Sequence, residues 1–205
     1  GLPYFGKKEG IVILLIAGAS HTGKTLAAQK LIEKYRYPCL SLDHLKMGLI
    51  RSGICSLRPE SDERELTPYL WNITREIIKT AVENQQNLII EGCYIPFDWK
   101  KDFESRYQPH IHALWLIFSP EYIRRFYKNI RKYAHIIETR LTDHTDAPEI
   151  MIEENSYNLH MCRVHGCSYL RMDEKYDLSA VEHFPQTPEN VSGIKENLDS
   201  GSENR

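Results

Sequence analysis

No stretch of this sequence stays apolar long enough to cross a bilayer. The longest run, "IVILLIAGA" from Ile11 to Ala19, falls far short of the roughly twenty residues a spanning helix needs. It also lacks the layout of a secretory signal, because a Gly-Lys loop follows where a cleavage site would sit. Neither sign of charge dominates. The formal net charge is −2, so nothing points to nucleic acid or a membrane surface as a partner. Cysteine is sparse: Cys39, Cys55, Cys93, Cys162 and Cys167 are odd in number and show no disulfide spacing. That usage predicts a reducing, cytoplasmic setting. Internal repeats are absent as well.

What is present suits one α/β domain, since 205 residues leave room for a good core. After a short entry arm, Ile11 to Ala17 is a continuous aliphatic run, the pattern of a parallel strand covered on both faces. Ala27, Leu31, Ile32 and Tyr35 then recur at helical spacing. "PCLSLD" (Pro38 to Asp43) reads as a second strand, and "DHLKMGLIRSG" as a helix ending near Gly53. A polar loop is expected from Cys55 to Glu65. A longer helix follows, with Leu70, Ile73, Ile77, Ile78 and Ala81 on one face.

"NLIIEG" (Asn87 to Gly92) and "HALWLIF" (His112 to Phe118) predict two more strands, with a short helix in "PFDWKKDFESRY" between them. Ser119-Pro120 signals the start of a basic amphipathic helix running to about Leu141. Another helix is expected from Pro148 to His165, and a fifth strand in "CSYLRM" (Cys167 to Met172). From Gln186 onward apolar residues thin out, which predicts a frayed tail over 186–205. The alternation of strands and helices implies βαβ units and a parallel sheet. Ligands of such sheets bind beyond the carboxyl ends of the strands. The polar residues at those ends are therefore the ones to weigh.

"GASHTGKT" matches the phosphate-loop pattern Gly18-x-x-x-x-Gly23-Lys24-Thr25 in full, between a predicted strand and a predicted helix. Glycines let the backbone wrap a polyphosphate, while successive N–H groups and the helix start supply positive potential. Gly18, Ala19, Ser20, His21, Thr22, Gly23, Lys24, Thr25 and Leu26 are the expected cofactor-binding residues. Lys24 would reach the β- and γ-phosphates, and Thr25 would ligate Mg²⁺.

The loop alone does not name the reaction. Regulatory GTPases usually add an Asp-x-x-Gly switch and an Asn-Lys-x-Asp guanine reader, and neither stands at the appropriate strand ends. Large ATPases need more chain. A small ATP- and Mg²⁺-dependent phosphotransferase remains, which needs an acceptor pocket, a proton acceptor and a basic lid.

Asp43, placed at the end of the second strand, is a candidate base for the acceptor hydroxyl, with a plain helix cap as its alternative role. Lys46 and Arg51, on the helix after it, are candidates for holding an anionic acceptor; a solvated surface is the competing explanation. Glu91 closes the third strand in a Walker-B-like end, placed to orient Mg²⁺ water or bind the acceptor. Tyr94, Phe97 and Trp99 follow as candidate pocket walls, with core packing the default expectation for each. The lid segment, about residues 120–147, carries Ile123, Phe126, Tyr127, Ile130, Ala134 and Ile137 in one stripe. Arg124 and Arg131 lie on another face and are the arginines chosen to meet the transferring phosphoryl group, with Arg140 as a substitute.

Two clusters are distractions. His160, Cys162, His165 and Cys167 fit no common zinc spacing. The scattered histidines pair with no identifiable nucleophile, so hydrolase chemistry has no positive support.

"GASHTGKT", "SLDHLKMG", "LIIEG" and the basic segment together resemble small bacterial P-loop kinases of the adenylate-kinase-like class. The likeness is closest to proteins labelled 2-phosphoglycerate-kinase-like, and more distant to zeta toxins and chloramphenicol phosphotransferase. It covers about residues 11–175. It implies a P-loop NTPase fold: a five-stranded parallel sheet in the order 2-3-1-4-5, flanked by helices, with a helical lid, all in one domain over residues 1–185. In those families the Asp matching Asp43 is the acceptor base and the Lys matching Lys24 binds phosphate; in zeta toxins a Glu comparable to Glu91 contacts the acceptor. The third strand lacks the Glu-Arg-Ser run of deoxynucleoside kinases, and the lid lacks a four-cysteine zinc motif. The expected activity is transfer of the γ-phosphate of ATP to a small hydroxylated or phosphorylated metabolite. A nucleoside monophosphate kinase, a nucleotide-sugar kinase of zeta-toxin type and a non-catalytic nucleotide-binding regulator stay open beside it. The acceptor, the choice between ATP and GTP, and the oligomeric state are left open.

Overall fold

A computed structural model describes residues 10–137 and 147–185, with side chains omitted over 133–137. Five strands form one parallel sheet: β1 (Ile13–Gly18), β2 (Cys39–Ser41), β3 (Leu88–Glu91), β4 (Ile111–Phe118) and β5 (Ser168–Met172), in the spatial order β2-β3-β1-β4-β5. The expected sheet and strand order are both present. β1 is central because every one of its residues is buried, as the unbroken aliphatic run requires. Ile13 pairs with Leu88 on one side and with Ile111 on the other.

Helices cover both faces: α1 (Lys24–Tyr35), α2 (Leu42–Arg51), α3 (Glu63–Glu83), α4 (Pro120–Ile137) and α5 (Pro148–His165). Alternating residues of β1 supply two cores. Ile13, Leu15 and Ala17 pack with Leu66, Leu70 and Ile78 of α3. Leu14 and Ile16 pack with Ala27 and Leu31 of α1 and with Ile123 and Ile130 of α4. Each fully buried aliphatic side chain contributes about 1.5–3 kcal/mol relative to exposure.

Helix starts are set locally. Asp62 caps α3, its Oδ1 accepting from the Arg64 N–H at 2.8 Å. This places the start of α3 inside the stretch expected to be loop. The Ser119 hydroxyl accepts from the Tyr122 N–H at 3.1 Å, so the Ser-Pro start signal for α4 holds. Buried Asn155 ties α5 to the end of β4, accepting from the Phe118 N–H at 2.8 Å. Between β3 and β4 the expected helix is two short 3-10 turns, Trp99–Asp102 and Gln108–His110. A third, Ser179–His183, follows β5 and was not expected from the sequence.

Candidate active site

The phosphate loop leaves central β1 at the carboxyl edge of the sheet, with β3 on one side and β4 on the other. A Cβ at Gly18 (φ +144°) would fall 2.5 Å from the Leu116 carbonyl oxygen of β4. At Gly23 (φ +83°) it would sit in a left-handed backbone and run into the Tyr176 hydroxyl. Both positions therefore demand glycine. Thr22 is fully buried and its hydroxyl donates to the Ala19 carbonyl at 2.9 Å, closing the turn. Ser20 and His21 are half-buried, while Thr25 and Leu26 stand exposed in the first turn of α1.

No side chain caps α1, and no acidic residue occupies its first turn. α3 has both features, an Asp62 cap and Glu63 and Glu65 behind it. An uncapped helix start presents N–H groups and the positive end of the helix dipole to whatever anion sits above it.

Lys24 is 7% exposed, and its Nζ donates to the Ala19 carbonyl at 2.8 Å. Burial alone would lower its pKa. Negative charge beside it outweighs burial and holds the pKa above the ordinary lysine value. Cys93 also lies against the ammonium, but burial pushes that thiol up. The Cys93 sulfur contributes most to holding the ammonium, ahead of the carboxylates Asp43 and Glu91.

Those two carboxylates meet through sheet register. Ser41 of β2 pairs with Glu91 of β3, and α2 begins at once, with Asp43 in its first turn. This corrects the expected strand from Pro38 to Asp43: β2 stops at Ser41, the cap position is Ser41, and Asp43 is helical. The cause is Leu42, fully buried, which turns into the core directly after Ser41. Glu91 is 4% exposed, so it is no surface strand end.

One helical turn beyond Asp43, Lys46 lies with its Nζ 3.6 Å from Asp43 Oδ1 and donates to the Tyr94 Oη at 2.9 Å. Asp43, Lys46, Glu91 and Tyr94 are thus brought together, as expected. Arg51 ends α2 as an exposed residue. Phe97 stacks on Trp115 at 5.5 Å and Trp99 packs edge-on against Phe103 at 6.1 Å, so both serve the core rather than a pocket. On α4, Arg124 is exposed with Glu121 at 4.0 Å, and Arg131 is half-buried. Arg140 lies outside the described residues, as does the tail over 186–205.

The β4–β5 side of the loop has another character. Phe118 and Tyr122 lie 4.8 Å apart, Tyr122 and Phe126 4.8 Å, and Phe118 and Tyr176 6.1 Å. Tyr176, in the turn after β5, brings its hydroxyl to 3.5 Å from the Gly23 carbonyl. Burial raises the Tyr176 phenol far above its ordinary pKa, so it stays neutral.

Three residues of the site escaped the sequence reasoning. Glu63 lay inside the expected loop, although the Asp-Glu pair starting α3 signals a helix start. Cys93 follows the "IIEG" motif without a pattern of its own. Tyr176 sits in the polar string "DEKYD", which carries no motif at all.

The His/Cys cluster is packing. Cys162 is fully buried, the Cys167 thiol donates to the Phe97 carbonyl at 3.2 Å, and His165 stacks on Phe97 at 6.4 Å. No group of metal-ligating side chains occurs among the described residues. A groove of about 940 Å³, lined by residues that include Tyr37, Ile73, Ile77 and Leu88, opens where the strands begin, at the end opposite the phosphate loop. No helix among the described residues is long and apolar enough to cross a membrane.

No family model matches the chain, and no curated protein does. Solved structures share its architecture. An unliganded sugar kinase from Janibacter sp. HTCC2649 is 11% identical, with 90% of this chain and 98% of that one aligned at a TM-score of 0.53. Shikimate kinase from Aquifex aeolicus is 12% identical, with 93% and 100% aligned at a TM-score of 0.50. The fold is that of the P-loop kinases.

Proposed function

We propose that this chain is a phosphotransferase that moves the γ-phosphoryl group of ATP to a hydroxyl of a small molecule, with Mg²⁺. The observation that carries the proposal is a buried lysine at an uncapped helix start, with Glu91 at the end of β3 and Asp43 in the first turn of α2 acting on it. Phosphate chemistry needs that pairing of a cradle with a proton acceptor.

The phosphates lie along the loop amides from Gly18 to Leu26. Lys24 leaves the Ala19 carbonyl for the β- and γ-phosphates. The acceptor enters from the β2–β3 side. Asp43 takes the proton of its hydroxyl as the new O–P bond forms and the bond from the γ-phosphorus to the β–γ bridging oxygen breaks, releasing ADP. A base so placed contributes about 10²–10⁴ in rate. Tyr94 and Lys46 hold Asp43 in orientation. The base of the nucleotide rests on the β4–β5 side, against the Tyr176 ring.

The oxygen donors Thr25, Asp43 and Glu91 fit Mg²⁺, a hard ion that keeps waters and phosphate oxygens and asks few protein ligands. When bound it neutralises charge on the β- and γ-phosphates. Arg124, Arg131 and Arg140 remain the candidates for the rest of that charge. α4 is anchored to the core by Tyr122, Ile123 and Ile130.

The test is Asp43→Asn. Acceptor-dependent ADP release should fall by about 10² or more while the rise in melting temperature with MgATP is kept. Unchanged turnover in the variant would remove Asp43 as base; binding of ATP without transfer to any acceptor would leave a nucleotide-binding regulator.

A further inference from the structure

One helix of this fold is apolar on two faces. The inward face of α5 carries Met151, Asn155 and Cys162, all buried. The outward face carries Ile150, Tyr157 and Val164, exposed at 38%, 56% and 60%. They are three of the six large hydrophobic side chains left exposed among the described residues. Single apolar residues on a surface are ordinary, but these three are spaced by seven. At 3.6 residues per turn, a step of seven drifts by only about 20°. The three therefore form one line down the helix, with half-buried Met161 beside it. That line lies roughly opposite the inward face, so packing on the sheet leaves it bare. An apolar seam of this spacing is what one helix presents to another.

Charge decides which helix that is. The first half of α5 has exposed Glu149 and Glu153, and the second half has exposed His160 and Arg163. A second copy of α5, laid antiparallel, brings the acidic half of each helix against the basic half of the other. The helix dipoles then oppose each other as well. A parallel pair would set glutamate against glutamate. The seam itself is symmetric about Tyr157, with Ile150 seven residues before it and Val164 seven residues after. In an antiparallel pair Tyr157 meets its own copy on the two-fold axis, and Ile150 of each chain meets Val164 of the other. Tyr157 is already held edge-on against Phe97 at 6.1 Å, so little side-chain freedom is lost at the centre of the contact.

We propose that this chain associates with a second copy of itself through α5, as an isologous dimer whose two helices run antiparallel and cross at Tyr157. The inference stands on the exposed face of α5 and does not depend on the phosphotransferase proposal. An 18-residue helix is about 27 Å long, so the contact stays below the roughly 1,200 Å² of a standard interface. The dimer is therefore weak, with a dissociation constant on the order of 10–100 µM.

The experiment is sedimentation equilibrium of the full chain at low salt, over about 5 to 500 µM, where a dimer of that strength forms. Wild type should pass from monomer to dimer across this range. Tyr157→Asp sets two carboxylates face to face on the axis and should raise the dissociation constant at least tenfold. Val164→Glu, at the most exposed of the three positions, repeats the test without touching the Phe97 contact. Arg163→Glu should raise the constant about tenfold, because each rim contact occurs twice in an isologous pair. Adding Glu153→Arg to the same chain should restore most of that loss, since only the antiparallel pair brings the two reversed ends together. Wild type that stays monomeric to about 500 µM overturns the inference and leaves the seam to a different protein. A dimer indifferent to both Tyr157→Asp and Val164→Glu overturns it by placing the contact elsewhere. Failure of Glu153→Arg to restore Arg163→Glu overturns the antiparallel pairing, and the inference with it.

Discussion

The two sides of the phosphate loop are built from different chemistry. On the β2–β3 side stand Asp43, Lys46, Glu91 and Tyr94, with Lys46 paired to Asp43 and hydrogen-bonded to Tyr94. On the β4–β5 side stand Phe118, Tyr122, Phe126 and Tyr176, linked by ring contacts. Only one side can accept and move a proton. The other offers flat, neutral surface suited to a heterocycle. One loop with two such flanks is what transfer between a nucleotide and a second molecule requires.

The severest way to break the comparison is to remove what both flanks share. Lys24→Met keeps an apolar stem in place of the ammonium. Transfer should fall by about 10²–10³, and the melting-temperature rise with MgATP should shrink or vanish. Full activity in this variant would mean that the loop holds no phosphate. Next comes Gly23→Ala, which forces a Cβ into a left-handed backbone and against the Tyr176 hydroxyl. A stability loss of about 1–3 kcal/mol is expected in urea unfolding. Adding Tyr176→Ala should recover the steric part and leave the backbone part, a non-additivity that a double-mutant cycle reads directly.

Two milder variants test whether the flanks are independent. Tyr176→Ala should raise KM for ATP about tenfold, in keeping with the loss of one stacked ring, and leave acceptor KM unchanged. Tyr94→Phe removes the hydroxyl that holds Lys46. It should raise acceptor KM about threefold to tenfold and leave ATP KM unchanged. Steady-state kinetics with each substrate varied in turn would expose any crossing of these effects, and crossing would dissolve the division into two flanks.

The charged flank was largely legible in the sequence, and the aromatic flank was not. Asp43, Lys46 and Glu91 follow or end short aliphatic runs, and in a parallel sheet those ends converge by topology alone. The strand order followed from the resemblance carried by "GASHTGKT" and "LIIEG". Tyr176 had no such handle, because it reaches Gly23 through a turn whose path depends on how β5 and the 3-10 segment Ser179–His183 pack. Glu63 was hidden for another reason: its charge acts on Lys24 across space, and the intervening polar stretch from Cys55 has no periodicity. Phe97 and Trp99 show the converse case. Their position after β3 allowed a pocket, but core packing was the default expectation, and their contacts with Trp115 and Phe103 bear it out.

The smallest effect sharpens the charged flank alone, through pH. Lys24 has a folded-state pKa above its unfolded value, because burial, which opposes the charge, is outweighed by the Cys93 sulfur together with the carboxylates Asp43 and Glu91. A group shifted in that direction adds stability that is fully present below the unfolded pKa. That stability is lost as pH rises through the folded pKa, since the unfolded chain then releases its proton first. Melting temperature should therefore decline at alkaline pH, beyond the ordinary lysine range, more steeply in wild type than in Lys24→Met. The comparison between the two cancels the titration of other lysines and tyrosines, which both proteins share. Parallel declines would show that Cys93, Asp43 and Glu91 together do not hold the Lys24 ammonium in the folded protein.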